Sequence, residues 1–183
     1  MMNKENLQLM STMLGEVIDG TWKGTPVDHK VILGPVKLFP ERVTEFDLES
    51  WVDSNPCGYS ACAVGHACFD KRFQALGLSF KKEIPVLTVK HPPVGEPTVS
   101  HITVTETRWD AVSCLFEISV DAARTLFLDK HYTGYIKYGV SAKRVKSRVD
   151  ELLQIGEKAL IAKYPYINVE DEAARTRPVS NNE

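Results

Sequence analysis

Apolar side chains return at helical intervals near the start of the chain, where Leu7, Met10, Met13 or Leu14, and Val17 with Ile18 share one face. This spacing predicts an amphipathic helix over residues 5–19, stopped by Gly20. The period returns late in the chain. Val145, Val149, Leu152, Leu153 and Leu160 predict a long helix capped by Ser141, reaching about Lys163 and ended by Tyr164-Pro165. A third stripe, formed by Cys62, Gly65, Phe69, Phe73 and Leu76, predicts a central helix from Cys57 to Gly77. Ala61, Ala63, Gly65 and Ala67 leave its first half almost without bulk, so its backbone can approach a neighbour closely. Gly65 lowers helix propensity by about 1 kcal/mol relative to Ala, which predicts a packing reason for it. Cys57, Gly58, Cys62, Gly65, Phe69 and Phe73 are therefore expected in the structural core.

The remaining stretches change period. Ile84–Lys90 and Thr98–Thr107 are rich in β-branched residues and flank the loop His91–Pro97, predicting an antiparallel hairpin over 84–107 with one wet face. Residues 21–40 hold two glycines and three prolines, and Gly34-Pro35 divides two apolar runs, which predicts two short extended pieces or a folded-back loop. Glu41–Val52 is too irregular to assign. Trp109–Phe116 predicts a short helix, and Ser119 an N-cap for residues 120–130. His131–Gly139 is an aromatic loop. The expected fold is α+β: a mainly helical single domain over residues 1–165, with about five helices around the central one and a peripheral β-hairpin at 84–107. Residues 166–183 are expected to be a polar tail.

Composition narrows the setting. The chain has 183 residues, 43% of them hydrophobic, enough for one real core. A formal net charge of -2 supplies no global attraction to nucleic acid or to anionic membranes, so any anion site must be local. No stretch approaches the roughly 20 apolar residues of a membrane span. The polar N-terminus does not resemble a signal peptide. The expectation is a cytoplasmic protein with reduced thiols and no membrane association.

Four chemistries are candidates. Cys62 and His66 stand four apart and share a helix face, with Cys57 as a possible third metal ligand. Cys68, however, falls about 120° round the helix axis, and no C-x2-C pair is present, so buried thiols are expected and no metal or cofactor is implied. Cys57 ahead of a helix N-terminus, with His66 as base, would make a weak nucleophile pair. His101-Ile-Thr103 and His131-Tyr-Thr133 both match H-x-[ST], the paired signature of two-histidine phosphoesterases. Only 30 residues separate these histidines, too few for two symmetric lobes, and they are not expected to share one site. The fourth candidate is a binding surface. Tyr132, Tyr135 and Tyr138 lead into a helix N-terminus followed by Lys143, Arg144, Lys146 and Arg148, offering stacking, amides and charge to an anion.

Phe46-Asp-Leu-Glu-Ser-Trp51 and Cys57-Gly-Tyr-Ser-Ala-Cys-Ala-Val-Gly-His-Ala67 resemble the F-D-[LM]-x-x-W and C-G-T-x-x-C-x-x-G-x-A motifs of a group of small, uncharacterised bacterial and phage proteins. Tyr59 stands where that pattern has threonine. The resemblance covers residues 5–19, 46–77 and 115–153, and implies a compact helical fold and phage origin, with the host cytoplasm as its setting. It implies no activity. The expected function is a non-enzymatic binding or interaction protein, an accessory factor acting on a host component. Its partner is expected to be a protein or a small anionic ligand held by Tyr132, Tyr135, Tyr138, Lys143 and Arg144, with nucleic acid not expected. The alternative is a nucleotide-binding or phosphodiester-acting small enzyme using His101, His131 and the basic last helix.

Overall fold

The computed structural model describes residues 2–31, 34–38, 43–55, 58–81, 83–91, 102–133 and 139–166. Within them the fold is α+β and mainly helical, as the sequence predicts. Helix α1 (Lys4–Ile18) begins at Asn3, whose Oδ1 accepts from the Asn6 amide. Leu7, Met10, Met13 and Leu14 bury its apolar face against α6 (Ala142–Ile155), which answers with Val145, Val149 and Leu152. At its start α1 is tied to α4 (Arg108–Phe116), because the Asn3 amide donates to Phe116 O and the Asn6 side chain to Leu115 O.

The divided run at 21–40 folds back on itself as β1 (Val27–Val31) and β2 (Gly34–Leu38), an antiparallel pair. The unassigned stretch that follows supplies β3 (Val43–Phe46) and β4 (Val52–Asn55). Both flank β5 (Gly58–Ala61), β3 in parallel and β4 antiparallel.

Here the structure corrects the predicted central helix. Cys57 lies outside the described residues, and Gly58 belongs to a strand rather than a helical turn. The helix starts only at Cys62, an N-cap with extended backbone whose Sγ accepts from the Gly65 amide. Nor does it run unbroken to Gly77. It divides into α2 (Ala63–Phe69) and α3 (Lys71–Ala75) at Asp70, whose backbone is extended at ψ 123° and whose side chain caps the second piece. Gln74 Nε2 donates to Cys68 O, satisfying a carbonyl that the break leaves open. Leu76, placed on the buried stripe by its spacing, is 39% exposed because the break rotates it away. Phe69 and Phe73 remain fully buried. Phe69 meets Phe80 edge-on at 5.4 Å, and Phe73 starts a chain through Phe116 to Phe127.

The predicted hairpin forms as β7 (Ile84–His91) and β8 (Ile102–Thr107), and β6 (Leu78–Lys81) extends it to three antiparallel strands. Leu78, Phe80 and Leu87 face the core and Val86 is buried on the other face of the sheet, whereas Val104 is 37% exposed on the outer strand. Helix α5 (Val120–Phe127) starts as expected, with Ser119 Oγ accepting from the Ala122 amide. A 3-10 turn over Asp129–His131 follows it. The long last helix is also two helices. Gly156, at φ 78°, separates α6 from α7 (Glu157–Lys163), since a left-handed residue cannot continue the right-handed ladder. Ser141 occupies the N-cap of α6 without a side-chain cap bond. These two breaks turn five expected helices into seven among the described residues. The tail predicted over 166–183 lies outside them beyond Tyr166.

Gly65 has the packing reason that its helix propensity demands. A Cβ built there would sit 1.9 Å from the Trp51 carbonyl oxygen and 3.1 Å from Ala61 Cβ. Neither neighbour is the loose end of a long side chain. Helix propensity alone would have Gly65→Ala stabilise the protein by about 1 kcal/mol. Overpacking against backbone reverses the sign, and we expect a loss of about 3 kcal/mol, a fall in Tm of roughly 6–12 °C. A Gly65→Ala protein melting at or above the parent temperature in calorimetry would refute the contact.

His66 gives a second prediction. It is 4% exposed, lies between the rings of Trp22 and Phe46, and is held by burial below its ordinary pKa. The unfolded chain therefore takes up this proton at a pH where the folded chain resists it, so stability falls as pH drops below about 6.5. His131, half-buried and also shifted down, acts in the same direction, while Asp129, shifted up by burial, opposes them. Tm should fall between pH 7 and pH 5.5, and the fall should shrink in His66→Gln. An equal fall in parent and variant would remove His66 as its cause.

Candidate functional site

The site is built from one buried cation. Arg148 lies at i+3 from Val145 and i−4 from Leu152, so the periodicity that drives α6 into the core carries this guanidinium inward too. Arg148 is 6% exposed. Its guanidinium carbon stands 3.5 Å from the centre of the Tyr132 ring and 3.9 Å from that of Tyr164, so two aromatic rings take up the charge. Nη1 donates to the Thr125 carbonyl at 2.8 Å. No carboxylate among the described residues lies within ion-pair distance of it. Burial pushes its pKa down, although an arginine stays protonated at any physiological pH.

Four elements set this arrangement. Tyr132 follows the 3-10 turn, is 1% exposed and donates its hydroxyl to Leu126 O at 2.5 Å. Loss of water raises its pKa above the ordinary phenol value, against the pull of Arg148 and Arg144, so it stays neutral. Tyr164 ends α7 and donates to Glu151 Oε2 at 2.6 Å, and Glu151 also pairs with Lys163. These two bonds hold the Glu151 carboxyl below its usual range. Arg144, one turn before Arg148, donates Nη2 to Thr133 O, and its guanidinium carbon stands 5.3 Å from the centre of the Tyr132 ring.

Above this layer opens a groove of about 400 Å³, walled by His131, Tyr132, Arg144, Arg148, Lys163 and Tyr164. A second groove of about 570 Å³ adjoins it and shares His131 and Tyr164. The His131 Nδ1 lies 3.0 Å from the Tyr164 carbonyl, so Nδ1 carries the proton and donates, leaving Nε2 as an acceptor. Burial keeps the ring neutral near pH 7.

The sequence-predicted site residues separate in space. Tyr132 and Arg144 meet in the groove. Tyr132 is a core residue whose face is already covered by Arg148, so it supports the cation rather than stacking on a ligand. Lys143 is exposed and faces the neighbouring surface with Lys146, Asp150 and Glu151. Tyr135, Tyr138 and His101 lie outside the described residues, as does any geometry between the two histidines. Tyr164, marked in the sequence only as a helix stop, forms half of the aromatic clamp. Arg148 was one of four helix cations, and its place on the Val145–Leu152 stripe was the signal that set it apart.

The cysteine segment offers little chemistry. Cys62 and Cys68 are fully enclosed, and burial pushes the Cys62 thiol up to about 12 and the Cys68 thiol well above its ordinary value. Neither is a thiolate near neutral pH. Cys62 Sγ is occupied as a cap, and His66 Nδ1 donates to Cys62 O at 3.0 Å. Cys62 borders a small cavity with Trp51 and Trp109, whereas His66 borders another with Trp22 and Phe46. Among the described residues no group of three or more His, Cys, Asp or Glu side chains is placed to hold a metal ion. No helix of the described residues is long and apolar enough to cross a membrane. Comparisons with protein-family models, with curated proteins and with solved structures gave no match.

Proposed function

We propose that the protein is a binding protein that holds a small anionic ligand in the groove over Arg148. One observation carries this reading: a buried guanidinium, clamped between two tyrosine rings, with one hydrogen bond and no carboxylate partner among the described residues. Removing a charge from water is costly unless it is paired, and aromatic faces return only about 2 kcal/mol of that. An anion in the groove returns more. The planar fork of Arg148 suits a carboxylate or phosphate, and Arg144 stands one turn away to share it. Lys163 adds charge at the rim, partly offset by Glu151.

Binding, rather than catalysis, is the better-supported class. The groove presents cations and tyrosines whose hydroxyls are already committed to Leu126 O and Glu151. His131 lines it, but its Nδ1 is committed to the Tyr164 carbonyl. The phosphoesterase alternative requires His101 opposite it. An accessory factor acting on a host protein remains the wider role in which an anionic partner group would be recognised, and the resemblance to bacterial and phage proteins is the support for that origin.

Calorimetric titration with inorganic phosphate and pyrophosphate tests the site. Binding should weaken as salt rises, because exposed charge is screened over about 10 Å at 0.1 M. Arg148→Met should lower affinity by about 10- to 100-fold, the equivalent of a charged hydrogen bond worth about 1.5–3 kcal/mol. Its Tm should stay close to the parent value, since methionine fills the slot between the tyrosines without a buried charge. Arg144→Ala should weaken binding as well, and Lys143→Ala should leave it nearly unchanged. Anion binding equal in parent and Arg148→Met would rule out this groove. Release of phosphate from a phosphodiester, abolished by His131→Ala, would favour the enzyme instead.

A further inference from the structure

The anion groove borders a second one. Its neighbour shares the His131 and Tyr164 wall but has different chemistry. Trp109, Leu128, Ile161, Pro165 and Tyr166 give that second groove an apolar wall, and Asp121 and Arg124 line it as its charged groups. Trp109 is itself held against Trp51, ring centres 4.6 Å apart, which fixes its orientation. Tyr166 is 56% exposed, the most open of the large hydrophobic side chains described. It meets His131 edge-on at 5.5 Å, and Lys130 Nζ lies 5.9 Å from its ring centre. An exposed aromatic held in place by its neighbours is a stacking platform that no other ring among the described residues covers face to face.

A ligand that fills both grooves must be anionic at one end and flat and apolar at the other. From this, and resting on the reading that Arg148 and Arg144 hold an anion, we propose that the protein binds a nucleoside monophosphate. Its phosphate lies over Arg148 and Arg144, and its base lies in the second groove against Tyr166. The shared His131–Tyr164 wall lies beneath the sugar. Asp121 sets the choice of base. The Asp121 carboxylate accepts hydrogen bonds from an exocyclic amine, so an amino-bearing base suits that groove. Base stacking on aromatic side chains is tolerant of sequence, and Asp121 supplies the discrimination that stacking lacks.

Titrations of the full chain with inorganic phosphate, adenosine, uridine, and the 5′-monophosphates of adenosine, guanosine, cytidine and uridine test this. The amino-bearing monophosphates should bind roughly tenfold or more tightly than phosphate at the same salt, and more tightly than the uridine compound. Tyr166→Ala, at an exposed position, should bring nucleotide affinity down toward that of phosphate while leaving phosphate binding unchanged. Asp121→Asn should narrow the gap between cytidine and uridine monophosphates. If phosphate binds but no nucleotide binds more tightly, the nucleotide assignment fails and the anion site stands. Failure of phosphate and nucleotides alike removes both. Tight nucleotide binding that ignores Tyr166→Ala would move the base out of the second groove and overturn the proposal.

Discussion

The contact between Gly65 and the Trp51 carbonyl sets the spacing of the whole centre. The Trp51 oxygen accepts from the Cys62 amide at 3.3 Å and lies where a side chain at position 65 would have to be. That approach locks the first turn of α2 onto the start of β4. The helix follows directly on β5, which pairs with both β3 and β4. Trp51, pinned through its backbone, presents its ring to Trp109 on α4. One missing methyl group thus joins the central helix, the small mixed sheet and the wall of the second groove. The surrounding alanines at 61, 63 and 67 serve the same end, since each is fully buried with no room for more.

Two arginines show how differently this fold treats positive charge. Arg72 donates to both oxygens of Glu16 and both oxygens of Asp70, which ties α1 to the junction between α2 and α3. Those carboxylates raise its pKa further, and Asp70, 2% exposed, is the buried group that this pairing makes tolerable. That is a structural knot, closed on itself. Arg148 has aromatic faces and one carbonyl in place of carboxylates, and the same comparison leaves its charge directed at a groove. Ionic pairing marks the first as architecture, and its lack among the described residues is what makes the second the candidate site.

The described members of the suspected reactive cluster, Cys62, Cys68 and His66, lost their chemistry to burial. Cys62 and Cys68 are deprived of the water and cations that would stabilise a thiolate, and His66 is enclosed by Trp22 and Phe46. Residues that look reactive in a list of side chains become packing units once their solvent is removed. His131 differs because it remains half-buried at a groove wall, and its tautomer is set by a backbone carbonyl.

Much of this was written in local pattern. The 3.6-residue period marked α1 and α6, an N-cap serine marked the start of α5, the β-branched runs marked β7 and β8, and the small-residue run announced a close backbone approach at Gly65. These features depend on residues near one another in sequence, so their physics is local. The breaks at Asp70 and Gly156 were less legible, because a polar residue and a glycine inside a periodic run are compatible with either a helix or its end. The mixed sheet was illegible, since β3, β4 and β5 are four residues each and are held by partners rather than propensity. The candidate site was legible only in part. Sequence supplied the tyrosines and the row of cations beside Ser141. Only the tertiary structure decided that Tyr132 turns inward, that Lys143 faces elsewhere, and that Arg148 is clamped by Tyr132 and Tyr164. Charge and aromaticity belong to single residues and can be counted along a chain, whereas desolvation and ring-to-cation distance exist only once distant segments have packed.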